Sequence, residues 1–599
     1  MGEPKLHPVH RDINDQPFDV FIAGSGPIGA TYARLLVHSG FNVCMVEIGD
    51  LQDSLHPGAH QKNEIRFQKD IDKFVSIIQG ALSTVSSPTH NLVIPNLDPS
   101  AYRANTFPPG YNERQQSHNN LGAAAVTRCV GGMSTHWCVV PTPTFLKGVE
   151  RPKIFENDAD DDCEWDKIYH AAKVLIGTSE EEFDSSIRQK IVLDALKQKT
   201  EYAGRNVKAL PLACHRIHNG RYVRWHAAEN IFGKNFFVKT PQSGHGTFRL
   251  LANTRCTKLV KHPDTYNIEF VIIRDYIADM KGEPEVDFSI RAKHFSACFS
   301  IQILANSGFG AIRDQTNPLM PNLVINCIYR FRMAFCRIVL RQVSQRCLLH
   351  SQPEWVRKAV NNHQTEHKAD PLPVPFSDPE PQVTIPVSAK FPWHIQIQRD
   401  SFSHGQASSL VDSRLVVDLR FFSMQDGRPE NRIIFESTKD AYGMPQPTFE
   451  YRTTADYALK ATEMMNDMTN IASVLGGYLP DSYPQFMTPG LPFHLAGSVR
   501  LGHDKSDSVA NYNSQVWQIK NLYVAGNGTI PTAFAANPTL TSLALAIRSA
   551  CKIRDFLKGS STSSEITVTP DEWLKWTNAN DPNYPDHKNL RELQSVVLI

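Results

Sequence analysis

Residues 20–47 read VFIAGSGPIGATYARLLVHSGFNVCMVE, and this stretch decides the fold. Val20 to Ala23 is a short apolar run with strand character, and Gly24-Ser25-Gly26-Pro27-Ile28-Gly29 follows at once. Ala30 to Val37 places Tyr32, Leu35 and Leu36 at helical spacing. Gly40 stops the helix, and Phe41 to Val46 predicts a second strand ending at Glu47. The unit is strand–turn–helix–strand with G-x-G-x-x-G in the turn. Gly24 permits the tight turn, Gly26 lets the backbone approach a pyrophosphate, and Gly29 lets helix and strand pack closely. The helix N-terminus offers free N–H groups and a partial positive charge to phosphates. Glu47 stands where an acid accepts the ribose hydroxyls of an adenosine. An α/β dinucleotide-binding domain is expected.

The 599-residue chain has room for more than one domain, or for one large cofactor domain carrying insertions. Its 41% hydrophobic and 21% charged residues suit a globular protein. Lys+Arg 62 against Asp+Glu 61 leaves almost no net charge, which argues against nucleic acid or a membrane surface as a partner. The 11 cysteines are scattered singly, so they form no disulfide framework and fit a reducing compartment. The N-terminus, MGEPKLHPVHRDINDQ, has no apolar core and is not a conventional secretory signal. The expected location is cytoplasmic, or peripheral or periplasmic after non-conventional export. The run Leu323 to Val343 is interrupted by Arg330, Arg332, Arg337 and Arg341, which disqualifies it as a spanning helix. His363-Gln364-Thr365-Glu366-His367 has an H-x-x-E-H form. It runs into prolines with no third ligand, so no metal is expected and a solvated turn is the reading.

Two further stretches carry chemistry. Residues 122–140, GAAAVTRCVGGMSTHWCVV, contain Gly131-Gly132, which allow close backbone approach to a flat or phosphorylated group, followed by His136. Residues 490–548 contain His494 in PFHLAGSVRLG, a strand at 521–525, and Asn527-Gly528-Thr529. Asn537-Pro538-Thr539 then opens a helix, with proline at a favoured first position.

Taken in order, the glycine fingerprint, GGMSTHW and the C-terminal block resemble the glucose-methanol-choline (GMC) oxidoreductases. The resemblance covers most of residues 17–558. It implies a Rossmann-like FAD-binding domain from residues 17–141, 244–320 and 490–558. It also implies a substrate-binding domain on a large mixed or antiparallel β-sheet, from residues 142–243 and 321–489. A head segment is expected near 345–390 and a tail at 559–599. FAD is the implied cofactor, covalently attached through His136. Gly24, Gly26, Gly29, Glu47, Gly131, Gly132, Cys138, Asn527, Pro538 and Thr539 would contact it. Cys138 stands where the family's oxidases carry threonine.

His494 and Asn537 match the family's catalytic pair. The histidine takes the proton of the reacting alcohol, and the asparagine donates or accepts a hydrogen bond at the same oxygen. The segment 394–405, HIQIQRDSFSHG, resembles a loop that closes over a sugar. There Gln396, Asp400 and Phe402 are the implied substrate contacts. Arg420 and Phe422, in the alternating run 412–422, match pocket positions. Gln398 and His404 depart from the family's usual histidine and tyrosine.

The implied activity is oxidation of aldopyranoses such as D-glucose at C2, with O2 reduced to H2O2, in a homotetramer. Two alternatives stay open. One is a sugar or alcohol dehydrogenase of the same family using a quinone. The other is an impaired flavoprotein, because residues 294–334 break the family pattern around RAKHFSACFSIQIL and LVINCIYRFRMA.

Overall fold

The computed structural model describes residues 18–51, 56–64, 67, 82–84, 125–137, 141–217, 222–233, 236–237, 243–276, 287–298, 301–307, 333–340, 353–398, 412–439, 444–479, 482–487, 494 and 496–559. The elements that build the site are, in chain order, β1 (Phe18–Ala23), α1 (Pro27–His38), β2 (Val43–Val46), α2 (Asp158–Ile176), α3 (Ile187–Lys197), β3 (Phe248–Leu251), β4 (Ala292–Ala297), β5 (Met333–Leu340), α4 (Glu354–Glu366), β6 (Gln382–Ile385), β7 (Trp393–Gln398), β8 (Val416–Ser423), α5 (Ala455–Leu475), β9 (Leu522–Val524) and α6 (Thr539–Leu557).

A parallel sheet runs β9-β4-β1-β2-β3. Its strands come from 18–46, 248–297 and 522–524, so the first layer is assembled from three distant pieces of chain. β1 and β2 are almost wholly apolar because a parallel strand is covered on both faces. Helix α1 begins at Pro27, earlier than the apolar spacing suggests, since proline's fixed φ suits the first helical position and its missing N–H is no loss there. α6 packs on α1 and α2 and carries a nearly continuous buried surface from Leu540 to Ile553.

The break expected around 294–304 does not dislodge its strand. β4 lies between β1 and β9, with Phe21 facing Phe295 in register and Cys298 N donating to the Ala23 carbonyl at 3.1 Å. Of the second break, residues 308–332 lie outside the described residues, and the chain re-enters at β5 in the other sheet.

That second sheet is antiparallel, in the order Gly476–Tyr478, β5, β8, β7, β6, Lys208–Ala209, with Gln485–Phe486 also beside β5. Its strands alternate with period two. Trp393, Ile395, Ile397, Val417, Leu419 and Phe421 face one way, into a core shared with α3 and α5. Each such side chain contributes about 1.5–3 kcal/mol by leaving water. The opposite face carries His394, Gln396 and Gln398 on β7, directly across from Phe422, Arg420 and Asp418 on β8. These are buried too. A buried polar face must be hydrogen-bonded to be tolerated, and Arg337–Asp418 at 2.8 Å is one such pairing.

Within 142–243 the described residues divide between the two cores. α2, residues 210–214 and 223–232, and Phe236 pack with the parallel sheet, whereas α3 and Val207 pack under the antiparallel one. The H-x-x-E-H segment is helical rather than a solvated turn. His363 is buried at the end of α4 and binds Asp370 at 2.8 Å, and Asp370 is also held by Arg414. Among the described residues no group of three His, Cys, Asp or Glu side chains is placed to hold a metal. None of their helices is long and apolar enough to cross a membrane.

Candidate active site

The first cluster is the glycine turn and what leans on it. A Cβ on Gly29 would stand 1.9 Å from the Gly24 carbonyl oxygen, so the close approach of α1 to β1 requires glycine. Glu47 is buried at the end of β2. It accepts from Ser25 N at 3.0 Å, from Ser25 Oγ at 2.7 Å and from Gly49 N at 3.1 Å. Burial raises its pKa, and these hydrogen bonds oppose the rise.

Ser25 Oγ also accepts from Gly131 N at 3.1 Å, which ties the second glycine pair to the first turn. Gly131 has φ +94°, and a Cβ there would meet Gly58 Cα at 2.6 Å. A Cβ on Gly132 would come within 3.6 Å of Gly26 Cα. The sequence-predicted glycines Gly24, Gly26, Gly29, Gly131 and Gly132 therefore form one cradle of bare backbone, joined by Ser25 to the carboxylate of Glu47.

His136 closes this cluster. It is fully buried, and its Nε2 is hydrogen-bonded to Thr127 Oγ1. Its Nδ1 has no partner among the described residues. Burial pulls its pKa down to about 4, so the ring is neutral at physiological pH. The neighbouring backbone is fixed from outside the motif. His60 Nε2 donates to the Trp137 carbonyl at 2.6 Å, and Trp137 Nε1 donates to the His226 carbonyl at 3.0 Å. Neither histidine carries a motif that sequence reading could have found. Cys138 lies outside the described residues.

The second cluster stands where α6 begins and the polar sheet face ends. Asn537 immediately precedes Pro538, the N-cap of α6, with Thr539 as its first residue. Asn537 Nδ2 lies 3.4 Å from His494 Nε2, and Asn537 Oδ1 accepts from Gln396 Nε2 at 2.6 Å. His494 stacks on Phe422 at 5.6 Å between ring centroids and 24° between planes. Burial first, and the positive charge of Arg420 second, lower the His494 pKa to about 3. The structure thus brings together His494, Asn537, Gln396, Arg420 and Phe422. Gln396 sits on a buried strand, not a loop. Asp400 and Phe402 lie outside the described residues. Asn527 is one turn away, where its Oδ1 accepts from Ser542 Oγ of α6 at 2.7 Å.

One residue here escaped sequence reading. Glu150 is buried, and its Oε1 accepts from Ala535 N at 2.8 Å and Ala536 N at 2.9 Å, clamping the segment that presents Asn537. No motif marks it.

The residues present fit a flavin dinucleotide. α1 and α6 both start without a side-chain cap and without an acid in the first turn, whereas α2, α3 and α5 are capped by Asn157, Ser186 and Thr454. Two bare helix N-termini suit two negatively charged parts of such a ligand. The glycine cradle fits its backbone contacts, and the Nδ1 of His136 is a buried polar atom with no partner among the described residues.

This parallel-sheet cofactor domain joined to an antiparallel-sheet substrate domain is that of a flavin-dependent GMC oxidoreductase. A family model described as GMC oxidoreductase matches residues 427–546. A crystallised formate oxidase superposes with a TM-score of 0.57 over 91% of this chain and 99% of that one, at 13% identity. The chain is 45% identical to a pyranose 2-oxidase of Lyophyllum shimeji, over 93% of this chain and 95% of that one. It is 37% identical to a pyranose 2-oxidase of Emericella nidulans, over 94% and 96%. The chain belongs to the pyranose 2-oxidase family.

Proposed function

We propose that the chain oxidises aldopyranoses, D-glucose among them, at C2 to the 2-keto sugar. Electrons pass to FAD and then to O2, giving H2O2. The observation that carries this reading is the His494–Asn537 pair at 3.4 Å beside a buried polar sheet face. Gly24, Gly26, Gly29, Glu47, Gly131 and Gly132 would hold the dinucleotide, Asn527, Pro538 and Thr539 would border the isoalloxazine, and His136 would carry it covalently. When bound, the flavin supplies the two-electron acceptor that no side chain provides.

The chain's own residues do the rest. His494 is neutral above about pH 3, and with its hydrogen on Nδ1 the Nε2 takes the proton of the C2 hydroxyl. Phe422, stacked on the ring, fixes its plane. Arg420 beside His494 disfavours the imidazolium, so the acquired proton is readily passed on. Asn537 holds the same sugar oxygen in place. The buried imidazole of His136 is neutral, the form that would hold the flavin covalently. A homotetramer is part of the same proposal, and mass photometry checks it.

Anaerobic mixing of the purified holoprotein with D-glucose tests the reading. Bleaching of the flavin, and a 2-keto product by NMR after aerobic turnover, support it. Flavin that stays oxidised with every aldopyranose opposes it.

A further inference from the structure

Three side-chain amides stand in series behind His494. Gln398 Nε2 donates to Gln396 Oε1 at 3.2 Å, and Gln396 Nε2 donates to Asn537 Oδ1 at 2.6 Å. Asn537 Nδ2 then faces His494 Nε2 at 3.4 Å. Gln396 and Gln398 are both fully buried, so water does not compete for these bonds.

An amide chain of this kind has two polarities. Turning all three amides over together preserves both internal hydrogen bonds but presents Asn537 Oδ1, not its NH2, to His494. The far end does not choose between them, because Gln398 Oε1 is buried without a partner among the described residues. The choice falls at the histidine. With His494 as the base, its neutral ring carries its hydrogen on Nδ1, so Nε2 accepts and an NH2 must face it.

We propose that Gln396 and Gln398 are positioning residues that hold the Asn537 amide in the orientation His494 selects, with its NH2 toward the reacting sugar oxygen. This rests on the assignment of His494 as the base. The consequence is chemical. As the hydroxyl loses its proton and becomes a carbonyl, its oxygen changes from donor and acceptor to acceptor alone. A fixed NH2 stabilises the charge that develops there, whereas a fixed carbonyl would oppose it. Gln398 stands at a position where the family usually carries histidine, which also has a ring N–H to donate.

The test is stopped-flow reduction of the holoprotein's flavin by D-glucose in the parent, Gln398→Leu, Gln396→Leu, the double variant and Gln398→His. The limiting rate at saturating sugar should fall about tenfold in Gln398→Leu, the equivalent of one hydrogen bond's net worth. In Gln398→Leu, which removes no implied sugar contact, sugar Kd should stay within about threefold, because the relay acts on the transition state. The double variant should be no slower than the slower single variant, because a relay broken once is already broken. Gln398→His should return to within about threefold of the parent. If Gln398→Leu does not fold, Gln398→Asn, too short to reach Gln396, takes its place with the same expectation. The proposal is overturned if Gln398→Leu reduces as fast as the parent. It is also overturned if the two losses multiply, or if the loss in Gln398→Leu lies in Kd. A parent whose flavin no sugar reduces overturns the functional reading as well, and so is told apart from a failure of the relay alone.

Discussion

Gly29→Ala is the sharpest test of the cradle. The added methyl would sit 1.9 Å from the Gly24 carbonyl oxygen and 3.0 Å from its carbon, and both are backbone atoms that cannot rotate away. A close carbon–oxygen contact is about 3.3 Å, so β1 and α1 must separate by roughly 1.4 Å at this point. Neither is free to move. β1 is paired on both sides, and α1 is buried along nearly its whole length against α6. Overpacking of this kind costs about 1–3 kcal/mol. If that cost falls on the cofactor-binding conformation, FAD affinity weakens by about 5- to 150-fold. Gly477→Ala is the control, since nothing lies within 4 Å of its added carbon, and it should change stability by less than about 0.5 kcal/mol. The assay is flavin content per chain, FAD titration of each protein in a His136→Ala background stripped of flavin, and thermal unfolding with and without FAD. A Gly29→Ala protein with the parent's flavin content and unfolding temperature would refute the reasoning.

Three other outcomes follow from the site. His136→Ala should leave all yellow colour in the supernatant after acid precipitation, while the parent's colour stays with the denatured protein; equal release from both would remove the covalent link. With the His494 pKa near 3, the limiting rate of flavin reduction should be level from about pH 5 to 8 and fall only as acid protonates the base. A midpoint near 6.5 in the parent would contradict that pKa. Arg420→Met removes the positive charge that disfavours the imidazolium, so the acid limb should move to higher pH; a limb that stays put or moves down would show that Arg420 does not act on the base.

The legible parts were those in which local chemistry repeats a physical demand. The glycine turn, the helix opened by Pro538 and the alternation of β8 each state their geometry within a few residues. Glu47 reads correctly as the acid ending β2, yet its hold on Ser25, and Ser25's hold on Gly131, do not. Glu150 clamps Ala535 and Ala536 across 385 positions of sequence, and nothing in its surroundings announces it. His60 and His226, which brace Trp137, are illegible for the same reason. Segment 394–398 misled in the other direction. Its resemblance implies a loop, but its polar residues are one row of a buried strand whose other row is Trp393, Ile395 and Ile397. Alternation was present there, and the resemblance to a sugar-covering loop drew attention from it. The damaged-looking sequence around Cys298 still builds β4, because a parallel strand asks mainly for apolar residues in register.

The central claim is that His494 and Asn537 receive a sugar hydroxyl at C2 beside an FAD held by the glycine cradle. The most direct measurement is anaerobic reduction of the holoprotein by D-glucose deuterated at C2, compared with unlabelled glucose. Slower bleaching with the label, and bleaching that is lost in His494→Ala with flavin content unchanged, is the predicted result. Equal rates with and without the label, or His494→Ala reducing as fast as the parent, would contradict it.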